Sequence, residues 1–303
     1  MRRLLCLGIV CALTLVLVSG AGSARKGPAR LAAYRGLGTW VDLYDARSWA
    51  GPETAVDAMA QHGVRTLFLE TGNYNHASRV YEPDYAARFI EAAHANGMRI
   101  IAWYLPDFAH PRHDFLRSLG AIRFRAPDGE RFDSFGLDIE SSVVQNVPLR
   151  NARLLALSRR LRAAVGHSYP LGAIIPSPRG MQLLPKYWPG FPYRRLARVF
   201  DVFLPMGYFS YRPHDLGGAF GYTARNITLV RQKTGQPNIA VHPIGGIADK
   251  STLKQTQAFV RATRACGVFG ASLYDFSTTR AGQWTTLARI PQRRQAPRPS
   301  CSY

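Results

Sequence analysis

From Leu37 onward the chain repeats one pattern: a short apolar run, a polar loop, an amphipathic segment, then another apolar run. Strand-like runs fall at 38–43, 65–69, 99–104, 135–139, 170–175, 202–206, 238–241 and 271–274. Helix-like segments lie between them at 52–62, 84–96, 149–165, 222–234, 252–266 and 284–290, several stopped by Asn-Gly or Gly. Apolar strands alternating with helices argue for a parallel sheet covered on both faces. About eight such units in roughly 255 residues match a (β/α)8 TIM barrel. An open doubly wound sheet would place a Gly-rich phosphate loop after the first strand; here Asp42-Leu43-Tyr44-Asp45 follows Val41. The segment 109–133 reads as an irregular excursion. The Pro-rich stretch 176–192, with Tyr187, Trp188 and Phe191, reads as a loop over the top face.

Composition bounds the rest. Of 303 residues, 47% are hydrophobic and 19% charged, which excludes a disordered chain. The net charge of +20 comes from 39 Lys+Arg against 19 Asp+Glu, and nearly all of the basic residues are arginines. They are scattered and accompany no nucleic-acid motif, so a nucleic-acid partner is not expected. Anionic cell-wall polymers are the partners such a charge suits.

Met1-Arg2-Arg3 followed by the apolar run 4–18 and small residues to Ala24 reads as an export signal, residues 1–24. The alternative is an uncleaved N-terminal anchor. No later run is long enough to span a bilayer. The expected organisation is therefore a signal at 1–24, one barrel domain at 30–290, and a basic, disordered tail at 291–303. Secretion or wall association is the expected location. Cys6 and Cys11 fall within the signal. Cys266 and Cys301 remain, either as a disulfide or as two separate thiols.

In a (β/α)8 barrel the active site forms at the C-terminal ends of the strands. Eight of the 19 acids lie there: Asp42, Asp45, Glu70, Asp107, Asp138, Glu140, Asp249 and Asp275. The sharpest element is Phe135-Gly136-Leu137-Asp138-Ile139-Glu140, where spacing two puts both carboxylates on one side of a strand. A close carboxylate pair holds one proton more tightly, as protonation of a glycosidic oxygen requires. Leu204-Pro205-Met206-Gly207-Tyr208 ends the sixth strand and offers a tyrosine to a substrate or to a carboxylate. Aromatic side chains at strand ends and top loops, among them Tyr44, Trp103, Tyr208 and Tyr274, suit stacking on sugar rings. Asp107, His110 and His113 have metal-ligand types but lie in a Pro-containing loop, and no metal is expected. Asn226-Ile227-Thr228 is a glycosylation sequon. Asp57, Glu91 and Asp114 read as solvated helix faces.

These motifs resemble the secreted (β/α)8 glycoside hydrolases, and two families within them in particular. In the chitinase-type enzymes of family 18, the fourth strand carries Gly-x-Asp-x-Asp-x-Glu ending in the catalytic acid, and the sixth carries Met-x-Tyr, which Met206-Gly207-Tyr208 matches. With Glu140 on the catalytic acid, the first aspartate of that run is missing. In the lysozymes of family 25, the fourth strand carries Asp-x-Glu and aspartates end the first and last strands, as Asp138, Glu140, Asp42 and Asp275 do. The resemblance implies a glycosidase without cofactor that acts on a polysaccharide or oligosaccharide. Glu140 would be general acid, and Asp138 would tune its pKa or orient the substrate. With an N-acetyl sugar bound, Asp138 and Tyr208 would position the acetamide for substrate-assisted attack; otherwise Asp42, Glu70 or Asp275 would serve as partner carboxylate. Tyr44, Trp103, Asp107, Met206 and Tyr274 would line the substrate. The alternatives are a non-catalytic glycan-binding barrel, in which arginines would neutralise Asp138 and Glu140, and a metal-dependent hydrolase built on the histidine loop.

Overall fold

The computed structural model describes residues 28–292 and Cys301. The expected export signal, with Cys6 and Cys11, lies outside the described residues, as does the tail beyond Gln292 apart from Cys301. Strands β1 (Gly36–Val41), β2 (Thr66–Asn73), β3 (Arg99–Leu105), β4 (Ser134–Asp138), β5 (Leu171–Pro176) and β6 (Val202–Met206) pair in parallel in sequence order. β9 (Gly270–Tyr274) pairs with β1 and closes the barrel. The seventh position is one strand in two pieces, β7 (Ala240–Val241) and β8 (Ile244–Ile247), both paired with β6. The interruption is His242-Pro243, and proline has no N–H to give to a ladder. The result is the expected single-domain (β/α)8 barrel.

The helices are α1 (Ala46–Ala50), α2 (Pro52–Gln61), α3 (Pro83–Ala95), α4 (Pro111–Arg123), α5 (Val147–Val165), α6 (Pro178–Leu183), α7 (Tyr193–Leu196), α8 (Ala219–Thr234), α9 (Leu253–Ala265) and α10 (Ala281–Leu287). Local chemistry sets their ends. Proline stands in the first turn of α2, α3, α4, α5 and α6, where its missing N–H costs nothing. Asn146 caps α5 through Leu149 N, and Thr252 with Gln255 forms a capping box on α9. None of the described helices is long and apolar enough to cross a membrane.

Two expectations are corrected here. The segment 109–133 contains a full helix, α4, in place of an irregular excursion. Asp114 in that helix is buried, not solvated: it accepts hydrogen bonds from Tyr104 Oη (2.9 Å) and Phe108 N (3.0 Å). The stretch over the top face also holds the short helix α6. Cys266 and Cys301 form a disulfide, which seats Cys301 against α8 at Ala224 and Thr228.

The core has two parts. One fills the layer between strands and helices. The other fills the barrel interior with Trp40, Phe68, Ile101, Trp103, Ile174, Leu204, Met206 and Ile244. Trp40 stacks on Phe68, with centroids 4.2 Å apart, and Trp103 meets Trp40 edge-on. Gly38 makes room for this layer, since a Cβ there would stand 2.7 Å from the Phe68 ring. A 3-10 turn at Pro28–Tyr34 plugs the N-terminal end, where Tyr34 Oη lies 2.6 Å from Ser134 Oγ. His242 is buried above that plug. Its Nδ1 faces the Tyr34 carbonyl at 3.0 Å, so the ring proton sits on Nδ1. Burial holds its pKa down to about 4 and keeps the ring neutral.

Candidate active site

The aromatic layer of Trp40, Phe68 and Trp103 is the floor of the barrel's C-terminal mouth. The next inward position on each strand carries the polar groups, because strand side chains alternate. Trp40 is followed inward by Asp42, Phe68 by Glu70, Gly136 by Asp138, and Met206 by Tyr208. On β9, Ser272 is followed by Tyr274. Beyond the end of β4 the chain stays extended, with Ile139 N bonded to Ile174 O at 2.8 Å. Glu140 therefore stays on the same side as Asp138.

Each group is held differently. Asp42 accepts from Tyr274 Oη (2.5 Å) and Tyr44 N (2.8 Å). Glu70 is 2% exposed and accepts from Leu43 N (3.0 Å) and Asn73 Nδ2 (3.2 Å). The Asn73 contact depends on a bulge: between Glu70 and Gly72 the β2–β3 register slips by one residue. The extra residue returns Asn73 to the side that Glu70 faces. Asp138 is 5% exposed, and its Oδ1 is buried without a hydrogen-bond partner. Glu140 stands in the open mouth, and its carbonyl accepts from Tyr187 Oη at 2.7 Å. Tyr208 is half-buried beside Tyr274 and Tyr211.

The electrostatics follow from burial and like charge. Burial, then Glu140 and Glu70, push Asp138 well above the usual carboxylate range. Protein packed around Glu140 raises it too. Burial brings Glu70 up to about 7 against the two donated hydrogen bonds, with Asp42 and Glu140 adding to the rise. Tyr208 and Tyr274 are likewise raised, mainly by burial. Among the described residues, no Lys, Arg or His forms a hydrogen bond or ion pair with Asp42, Glu70, Asp138 or Glu140. The arginine neutralisation that a purely structural pair would show is not there. A set of carboxylates in this state shares protons and keeps at least one as an acid near neutral pH.

Other expected site residues are placed elsewhere. Asp107 accepts from Ala109 N (2.7 Å), His110 N (3.0 Å) and His110 Nδ1 (2.6 Å), and so shapes the entry to α4. Burial works against its charge, but these hydrogen bonds win and lower its pKa. Asp275 turns back on its own loop and accepts from Ser277 Oγ, Thr278 N and Thr278 Oγ1. Asp45 caps α1 through Ser48 N. Met206 is buried in the barrel interior, below Tyr208 in its strand. Trp103 is buried in the floor, with its Nε1 unpartnered. Tyr44 is an exposed rim residue, 71% accessible, its hydroxyl 3.5 Å from Asn73 Nδ2. His110 and His113 stack on one another, and the described residues contain no group of three or more potential metal ligands. Asn226 of the sequon is buried; its side chain bonds Ser177 Oγ, Arg179 N and Tyr222 O, which leaves it no room for a glycan.

Two contributors escape sequence reasoning. Asn73 reaches Glu70 only through the bulge, which no local pattern announces. Tyr187 is visible as a loop aromatic, but its contact with the Glu140 carbonyl joins segments 47 residues apart.

No family model matches this chain, and no curated protein matches it in sequence. Solved structures do. The spore cortex-lytic enzyme SleL of Bacillus cereus superposes with a TM-score of 0.61 at 11% identity, covering 84% of this chain and 74% of that one. A chitinase from Chromobacterium violaceum gives 0.59 at 12% identity, covering 86% and 100%. An endo-beta-1,4-mannanase from Thermotoga petrophila gives 0.60 at 10% identity, covering 80% and 68%. At such identities the likeness establishes a shared (β/α)8 barrel.

Proposed function

We propose that this chain is an exported glycoside hydrolase that cleaves O-glycosidic bonds in a polysaccharide. The observation that carries the reading is the convergence of Asp42, Glu70, Asp138 and Glu140 at the C-terminal mouth, without a cationic partner among the described residues and with Glu70, Asp138 and Glu140 pushed up in pKa. Fold analogy to a chitinase, a mannanase and a cortex-lytic enzyme supports the reaction class.

Glu140 is the general acid. Its pKa is raised by the protein packed around it, and it is open enough to reach a substrate. Its proton passes to the glycosidic oxygen as the C–O bond breaks, and the bonding electron pair leaves with that oxygen. Asp138 lies beneath it and tunes its proton affinity by like charge. The partner carboxylate is Glu70 or Asp42. As a base it takes a proton from the attacking water; as a nucleophile it forms an ester that water then opens. Asp275 is not chosen for this role because its Oδ1 takes three hydrogen bonds from its own turn. Tyr208 and Tyr274 present hydroxyls, and the Trp40–Trp103 floor an apolar face, to a sugar ring. The reading includes export through residues 1–24 and retention on anionic wall polymers by the basic surface.

The test is release of reducing ends from a panel of bacterial and fungal polysaccharides by the wild type and by Glu140→Gln. A loss of about 100-fold or more in the variant is the scale of a removed general acid. Equal rates would remove Glu140 from the mechanism. Pull-down without turnover would favour the binding barrel.

A further inference from the structure

The protein carries a charge of +20, yet its mouth collects four carboxylates and no cation. Asp42 and Glu70 each receive neutral hydrogen-bond donors. Asp138 receives none at Oδ1, although it is buried and points into the mouth. A buried carboxylate oxygen with no donor is unfavourable. No described residue supplies that donor, so the site is open to a donor from a bound substrate. Trp103 Nε1, one inward step lower on the neighbouring strand, is also unpartnered.

We infer that the sugar accepted over Asp138 and Glu140 carries a free, protonated amine, so that the substrate is a de-N-acetylated amino-sugar polymer. The inference rests on the glycosidase reading above and narrows its substrate class. An ammonium supplies up to three N–H donors and a positive charge. It satisfies Asp138 Oδ1 and relieves the mutual repulsion of the four acids. A plain hydroxyl supplies a donor but no charge. A uronic acid or a phosphate-bearing unit adds a fifth anion to the mouth, and every like charge there is unfavourable. A free amine also lacks the carbonyl oxygen through which an acetamide attacks the anomeric carbon, which fits catalysis by two enzyme carboxylates.

A polycation is repelled by the body of a +20 protein. Its binding therefore reports on the mouth and not on nonspecific attraction. The experiment is calorimetric titration of the intact protein, at pH 6 and moderate salt, with three hexamers of the same β-1,4 linkage: glucosamine, N-acetylglucosamine and glucose. The glucosamine hexamer is expected to bind at least about tenfold tighter than either other, the scale of one favourable charge-assisted contact. Asp138→Asn and Glu70→Gln should each shrink that preference, with retained folding checked by thermal melts. Equal or weaker binding of the glucosamine hexamer, or none, overturns the inference. If the acetylated or neutral hexamer binds better and is cleaved, the glycosidase reading stands and only the amine is lost. If none binds and the polysaccharide panel is also silent, both fall together.

Discussion

Glu70 shows what a barrel gives up to keep a buried acid without a cation. Its pKa is about 7 in the folded protein against 4.5 unfolded. Between those values the folded state holds more protons than the unfolded one. Stability therefore falls as pH rises through that window, and the whole penalty, up to about 3 kcal/mol, is present above it. Glu70→Gln keeps an acceptor for Leu43 N and removes the charge. Thermal melts should show the variant more stable than wild type at pH 8, with the gain gone at pH 4, while glycan turnover falls. Equal melting at both values would mean the carboxylate is not held against its charge. His242 works with the opposite sign. Its pKa is lowered to about 4, so the stability it allows is present above about 6.5 and is lost as pH falls toward 4. At this scale the site was partly legible. Period-two alternation put Asp138 and Glu140 on one side, and strand ends located Asp42 and Glu70. Asp107 and Asp275 also stand at strand ends, but both oxygens of Asp107 and the Oδ1 of Asp275 bond their own loops, and local sequence does not reveal which way such a chain turns. Asp114 was misread because its burial depends on Tyr104 and on the 107–108 backbone.

Helix α5 supplies the support beneath Glu140. Arg150 on its first turn is buried, with Nη2 on the Tyr187 carbonyl (3.0 Å) and its guanidinium 4.0 Å above the Trp188 ring. Tyr187 in turn holds the Glu140 carbonyl. Arg150→Ala should cost about 2–4 kcal/mol, because it removes packing and leaves buried carbonyls unpaired. Tyr187→Phe removes one partly exposed hydrogen bond, so it should lower turnover several-fold with melting shifted by about 1 kcal/mol or less. A loss of stability without a loss of rate in the phenylalanine variant would deny Tyr187 a positioning role. A second tie joins the chain's end to the barrel wall: Cys301 is bonded to Cys266, just past α9, and rests on α8. Cys301→Ser should cost about 2–4 kcal/mol, read from melts with and without reductant. Elements with strong periodicity were legible from sequence. Helix α4 was not, because Pro111, Arg112, His113 and Gly120 dilute its apolar face. The seventh strand was cut short because His242-Pro243 ends the apolar run before β8 resumes it.

At the scale of the whole molecule, the charge is divided. The C-terminal mouth is acidic, while the N-terminal face holds two adjoining hollows lined by Arg99, Arg123, Arg125 and Arg131. Arg99 is paired with Asp133, and Arg131 lies over Tyr169. Arg123 and Arg125 have no acidic partner among the described residues. A polyanion is attracted to this end and repelled at the other, so under the proposed reading an anionic polymer that retained the protein need not occupy the proposed catalytic mouth. The separation is open to measurement. Wild-type protein should bind an immobilised anionic glycan and elute as salt rises, since exposed charges are screened beyond about 10 Å at 0.1 M. The combined replacement Arg123→Ala, Arg125→Ala and Arg131→Ala should elute at lower salt and release reducing ends at the wild-type rate. Glu140→Gln should elute with the wild type and release them about 100-fold or more slowly. If the triple variant elutes unchanged, retention comes from the diffuse net charge and the N-terminal face has no special part in it. If it loses turnover as well, the two ends are coupled, and the polymer that holds the protein is also the one it cuts.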